Sequence, residues 1–140
     1  IILNPAPYKE LPKEVFSKID FVIPNEHEAH DLTGIYPSDE ESTQKAILKL
    51  KQMGVKNIII TLGERGCAYS VDNEIVFKSA IKTNVVDTTS AGDTFIGALV
   101  SKLSQNKTLE NAVLFATKAA AITVSREGAS KSIPYANEIE

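Results

Sequence analysis

A single cysteine, Cys67, leaves no partner for an internal disulfide, and two histidines without paired cysteines give no zinc-binding spacing. No apolar run approaches the ~20 residues needed to cross a bilayer, and no basic segment leads into an apolar one at the amino end. Lysine and arginine never gather into a block. Fifteen of them stand against 18 acidic residues, for a net charge of -3 and a pI near 5.5, so neither nucleic acid nor an anionic membrane surface is an expected partner. Tryptophan is absent, and seven glycines and six prolines are too few for a fibrous or low-complexity chain. These absences leave a globular protein, with a reducing, cytoplasmic compartment as the expectation.

With 43% hydrophobic residues over 140 positions, the chain can bury one core of the size usual for a domain of roughly 100–150 residues. Ile1-Ile2-Leu3 reads as a strand already in progress, followed by a proline-stiffened loop, Asn4-Pro5-Ala6-Pro7. The expectation is a fragment or a processed piece. Residues 12–18 suggest one or two helical turns, and Phe21-Val22-Ile23 a buried strand stopped by Pro24. Asn25 stands three residues before Glu28, the capping-box spacing, which predicts a helix over 26–33 ending at Gly34. A similar signal from Ser38 to Glu41 predicts a third helix, with Ala46, Ile47, Leu50 and Met53 on one face and Gly54 at its end.

Residues 55–62 (VKNIIITL) form an almost continuous β-branched run, as found in parallel strands covered on both faces. Strands at 67–71 and 75–78 flank Asp72-Asn73 as a hairpin, and a further strand is predicted at 82–86. Helices follow near 92–104 and 109–124. Strands alternating with helices imply a layered α/β sheet, and the simplest organisation is one domain over residues 1–140. Ligands of such sheets bind where strands give way to helices, and both Asn25 and Asp87 fall at such ends.

The stretch DTTSAGDTF, residues 87–95, sets two carboxylates around hydroxyl-bearing and small residues just before an apolar helix. Helix-start amides lack internal partners and carry the positive end of the macrodipole, so an anion is stabilised there. Ala91 and Gly92 leave the backbone approachable, and Asp93 is placed to accept a hydroxyl proton. The residues alone favour a plain helix start, for which Asp, Ser and Thr are the usual choices. Other signals read as structure first. His27 and His30 have no third ligand, Cys67 reads as a buried hydrophobe, Ala119-Ala120-Ala121-Ile122 as core helix, and Asp39-Glu40-Glu41 as a solvated helix start.

The wider pattern shifts the balance. Asn4-Pro5-Ala6-Pro7, Pro24-Asn25-Glu26-x-Glu28, Thr61-Leu62-Gly63-x-x-Gly66, Asp87 through Leu99 and Arg126-x-Gly128-Ala129-x-x-Ser132-x-Pro134 together resemble the carboxy-terminal half of the PfkB carbohydrate kinases, and their ribokinase branch in particular. The resemblance covers essentially the whole chain. It implies a Rossmann-like α/β/α sandwich of the ribokinase type, with a largely parallel sheet, whose amino-terminal half and most of whose β lid lie outside this chain. It implies transfer of the ATP γ-phosphate to a sugar hydroxyl, ribose being the expected substrate.

By that resemblance Asp93 is the catalytic base at the sugar, and Ser90, Ala91, Gly92 and Asp93 form the anion hole. Asn25 and Glu28 help hold Mg²⁺ and the phosphates, largely through water. Thr61, Gly63 and Gly66 lie along the nucleotide, as does Gly92, and Thr117 sits near the base or ribose. Asp87 and Thr89, main-chain oxygens of Thr123, Arg126 and Gly128, and the region of Ser132 match an activating K⁺ site. The complete protein would be a homodimer pairing through its lids. Ser90 stands where many members have glycine, which requires its side chain to point away from the phosphate. The missing Gly-Gly sugar-binding region keeps two other readings open: an inactive nucleotide-binding fragment, and a kinase for another sugar or a nucleoside.

Overall fold

A computed structural model describes residues 1–139, in two compact units, Ile1–Ser79 and Ala80–Glu140. The first unit carries a five-stranded sheet in the order β1-β2-β3-β4-β5, formed by Ile2–Leu3, Phe21–Val22, Asn57–Thr61, Cys67–Val71 and Glu74–Lys78. β1, β2 and β3 pair in parallel, and β4 and β5 add antiparallel strands beside β3. Parallel neighbours need a crossover, which α1 (Lys13–Phe16) supplies between β1 and β2, and α2 (Glu26–Thr33) with α3 (Glu40–Gln52) between β2 and β3. This is the expected α/β architecture.

The β-branched run is as buried as its composition implies: Ile58, Ile59 and Ile60 are all fully excluded from solvent. Each such side chain contributes about 1.5–3 kcal/mol relative to exposure. Around Ile58 and Ile60 a core forms with Ala46, Ile47 and Leu50 of α3, Ala29 and Leu32 of α2, and Phe16, Val22 and Ala68. The hairpin turn carries positive φ at both Asp72 (46°) and Asn73 (68°), the backbone that a two-residue turn between twisted strands requires.

The starts of α2 and α3 follow their caps, with one shift. Asn25 and Glu28 form the predicted reciprocal box, and Gly34 closes α2 in the left-handed conformation at φ 75°. At α3 the box lies one residue later than the Ser38–Glu41 reading. The Asp39 carboxylate accepts from the Ser42 amide at 2.7 Å, and the Asp39 amide donates to Ser42 Oγ at 3.0 Å. The two boxes overlap in sequence, and the charged acceptor takes the cap because a carboxylate binds helix-start amides more strongly than a hydroxyl does.

The second unit consists of α4 (Ala91–Ser104), α5 (Leu109–Val124) and the short α6 (Ala136–Ile139). α4 and α5 pack closely on each other, with Phe95 and Leu99 of α4 and Ala112, Val113, Ala116 and Ala119 of α5 buried. The Ala119 region is thus core helix. The strand expected at 82–86 is not formed. Val85 and Val86 are 59% and 56% exposed, and no strand pairs with this segment among the described residues. An extended segment without a ladder partner leaves its backbone to water. Of its amides, Val86 donates to the Val124 carbonyl at 2.7 Å, at the end of α5.

Candidate functional site

Apart from Thr117, the expected site residues fall at two places, one in each unit. In the first, the carboxyl ends of neighbouring parallel strands β2 and β3 lie side by side, tied by the Thr61 amide donating to the Pro24 carbonyl at 3.0 Å. Asn25 therefore starts α2 next to the place where the chain leaves β3. Asn25 Oδ1 accepts from the Glu28 amide and Glu28 Oε2 accepts from the Asn25 amide, both at 2.9 Å. Each side chain keeps a further oxygen or amide group for water or a ligand. After Thr61 a 3₁₀ turn, Gly63–Arg65, closes with Leu62 donating to the Gly66 carbonyl at 2.8 Å. Gly66 sits at φ 96°, ψ -121°, a conformation open to glycine alone. Thr61, Gly63 and Gly66 are thus held against the start of α2.

The second cluster surrounds the start of α4. Ser90 occupies the N-cap position in the left-handed region, φ 64° and ψ 8°, and its side chain caps nothing. The Ala91 amide donates to the Thr88 carbonyl at 3.2 Å, whereas the amides of Gly92 and Asp93 make no hydrogen bond among the described residues. A Cβ placed on Gly92 would meet nothing within 4 Å. Two open amides at a helix start fit an anionic oxygen, and the Asp93 carboxylate stands at the third helical position of the same turn.

Asp87 holds this turn in place. One of its oxygens accepts from the Thr89 amide at 2.9 Å and the other from the Gly128 amide at 3.0 Å, across 41 positions of sequence. Thr89, through its side chain first and then its amide, together with the Gly128 amide, pulls the Asp87 carboxyl below the usual carboxylate range. The segment before α4 and the loop after α5 are thereby joined, which brings Asp87, Thr89 and Gly128 together. Around the same loop, the Thr123 carbonyl accepts from the Arg126 amide at 3.1 Å, and the Arg126 guanidinium is paired with Glu138 at 2.6 Å. Ser132 is fully buried, with its hydroxyl donating to the Ala129 carbonyl at 2.6 Å. Thr117 is buried in α5, and its hydroxyl donates to the Val113 carbonyl at 2.8 Å.

Among the described residues no three His, Cys, Asp or Glu side chains gather as metal ligands. A cation in either cluster would draw on single carboxylates, carbonyls and water. His27 and His30 instead pack on Tyr36, the first edge-on at 5.4 Å between ring centres. Sequence reasoning did not single out the Arg65–Glu26 ion pair, 2.8 Å across, which joins the Gly63–Gly66 turn to α2. Its only signal was an opposite charge one or two residues inside each turn.

Residues 1–136 match the family described as pfkB family carbohydrate kinase, and the chain belongs to it. A ribokinase of Staphylococcus aureus (strain COL) is 43% identical over 139 residues, covering 99% of this chain and 46% of that protein. Ribokinase from Thermotoga maritima superposes with a TM-score of 0.86 at 39% identity, over 99% of this chain and 46% of that one. An Arabidopsis thaliana ribokinase, solved in complex with ribose and ATP, gives a TM-score of 0.92 at 34% identity, over 99% and 45%. The chain spans about half the length of the relatives it matches.

Proposed function

We propose that this chain supplies the ATP site, the anion hole and the catalytic base of a kinase that phosphorylates ribose to ribose 5-phosphate. The observation that carries this reading is the start of α4, where the Gly92 and Asp93 amides are open and a carboxylate lies in the same helical turn. The ribokinase relatives, one of them solved with ribose and ATP, supply the substrate class.

Bound MgATP would bring the phosphoryl group, its leaving group and most of the positive charge that offsets the phosphates. Asn25 and Glu28 would hold the metal through water, with Thr61, Gly63 and Gly66 along the nucleotide and Thr117 beside its base or ribose. The open amides would stabilise charge on the phosphoryl oxygens as the bond to the leaving group breaks. Asp93 would take the proton of the attacking hydroxyl as its oxygen bonds to phosphorus, a late transfer that a loose transition state tolerates. Asp87, Thr89 and the carbonyls of Thr123, Arg126 and Gly128, with Ser132 behind them, would bind K⁺ and fix the loop carrying the anion hole. The complete protein would be a cytoplasmic homodimer.

A second reading, a nucleotide-binding piece without turnover of its own, is favoured by the coverage of under half of each relative. Calorimetric titration of the chain with MgATP in potassium buffer tests both. Saturable one-to-one binding is expected under either, and phosphorylation of ribose after addition of the amino-terminal half of a ribokinase relative separates them. A folded chain that binds no MgATP would overturn the nucleotide assignment.

A further inference from the structure

The turn after β3 is closed on itself by main-chain bonds: Arg65 donates to Leu62 at 3.0 Å, Gly66 to Gly63 at 3.0 Å and Leu62 to the Gly66 carbonyl at 2.8 Å. Those bonds shape the turn but do not attach it to its neighbours. The Thr61 amide ties the end of β3 to the Pro24 carbonyl, and beyond that strand end one side chain attaches the turn itself. Arg65 Nη2 donates to Glu26 Oε1 at 2.8 Å and also to the Pro37 carbonyl, so a single guanidinium spans the first turn of α2, the loop before α3 and the turn itself. The pair is partly shielded, at 36% and 26% side-chain exposure, and a Cβ added to Gly63 would come within 3.9 Å of the other Glu26 oxygen.

Glu26 is the first residue of α2, directly after Asn25 and two before Glu28, while Gly63 and Gly66 bracket Arg65. We infer that the Arg65–Glu26 pair is a positioning device, setting the distance between the glycine turn and the Asn25–Glu28 helix start so that both reach one bound nucleotide. The inference rests on the nucleotide reading given above. Its physical basis is that two loops contacting one ligand bind it well only if their spacing is set beforehand; otherwise binding must supply the ordering. Arginine suits the task because the two hydrogens of Nη2 can serve a carboxylate and a carbonyl at once.

The test uses the chain with Arg65→Met, with Glu26→Gln, and with the reversed pair Glu26→Arg/Arg65→Glu. Lys45→Met, which breaks the exposed Lys45–Glu41 pair of α3, is the control. MgATP affinity and amide hydrogen exchange are measured for each. Arg65→Met and Glu26→Gln should each weaken MgATP binding about fivefold, as suits a partly shielded ion pair, and should speed exchange at Gly63–Gly66 and Asn25–Glu28 together. The reversed pair should recover part of both losses, and Lys45→Met should change neither. Affinity that stays within about twofold in Arg65→Met, whatever the exchange does, would reduce the pair to local structure and overturn the inference. If the unaltered chain binds no MgATP, the nucleotide reading fails and the inference falls with it; binding by the unaltered chain with indifferent variants defeats the inference alone.

Discussion

The starts of α2 and α4 answer the same problem in opposite ways. Both present helix-start amides that lack partners inside the helix. At α2 the need is met from within, since Asn25 and Glu28 exchange side-chain and amide bonds and Asn25 adopts an ordinary extended backbone at φ -83°. At α4 it is left open: Ser90 caps nothing, sits at φ 64°, and the next free amides are those of Gly92 and Asp93. A helix start that forgoes both a cap and a comfortable backbone has given up stability on the order of 1–2 kcal/mol that most helices keep. Exposed amides and local strain set the start of α4 apart from that of α2.

Replacing Asp93 by asparagine should give the largest effect. With the amino-terminal half of a ribokinase relative present, phosphorylation of ribose should slow by about 10²–10⁴-fold while MgATP affinity on the chain stays close to unaltered. An unchanged rate would remove the base and make α4 an anion site only. Next in size is Asn25→Ala, which should cost about 1 kcal/mol in chemical denaturation through the lost cap. Ser90→Ala, which removes a hydroxyl that bonds nothing at the helix start, should fall within about 0.5 kcal/mol of the unaltered chain. Equal losses at the two positions would erase the contrast between the helices.

Ser90→Gly runs the other way. Glycine adopts the left-handed region without steric cost, so stability should rise by about 0.5–1 kcal/mol after allowing for the freer unfolded chain. A loss on this substitution would mean that the serine side chain holds the turn. The smallest effect concerns acid. The folded state holds the Asp87 carboxyl below its ordinary value, so it binds fewer protons there than the unfolded chain does. Its contribution is present above the ordinary aspartate value of about 3.9 and is lost as pH falls through the lower folded value. Denaturation followed between pH 6 and pH 2 should show a shallower acid slope in Asp87→Asn than in the unaltered chain. Identical slopes would remove Asp87 as the clasp between the α4 loop and Gly128.

Local chemistry decides wherever the deciding residues are near neighbours in the chain. The Asn25–Glu28 box, the Gly34 stop and the Asp72-Asn73 turn each depend on residues within a few positions of one another, and each was placed from sequence. Where two local signals overlapped, at Ser38-Asp39, the charged cap prevailed and the reading was one residue early. The segment 82–86 failed as a strand for a different reason: its composition suits an extended chain, but a strand exists only where another strand lies alongside.

The sequence by itself determined the α/β alternation, the buried isoleucine strand and the family. Each is written in contiguous residues whose period, capping and size have local physical consequences. Only the tertiary structure decided that Asp87 reaches Gly128, that Arg65 clasps Glu26, and that the Gly92 and Asp93 amides stay open while Ser90 takes a left-handed turn. The two clasps join groups 41 and 39 positions apart. The open turn is a balance between strain and hydrogen bonding that no spacing records, because packing settles such distances and conformations only after the chain has folded.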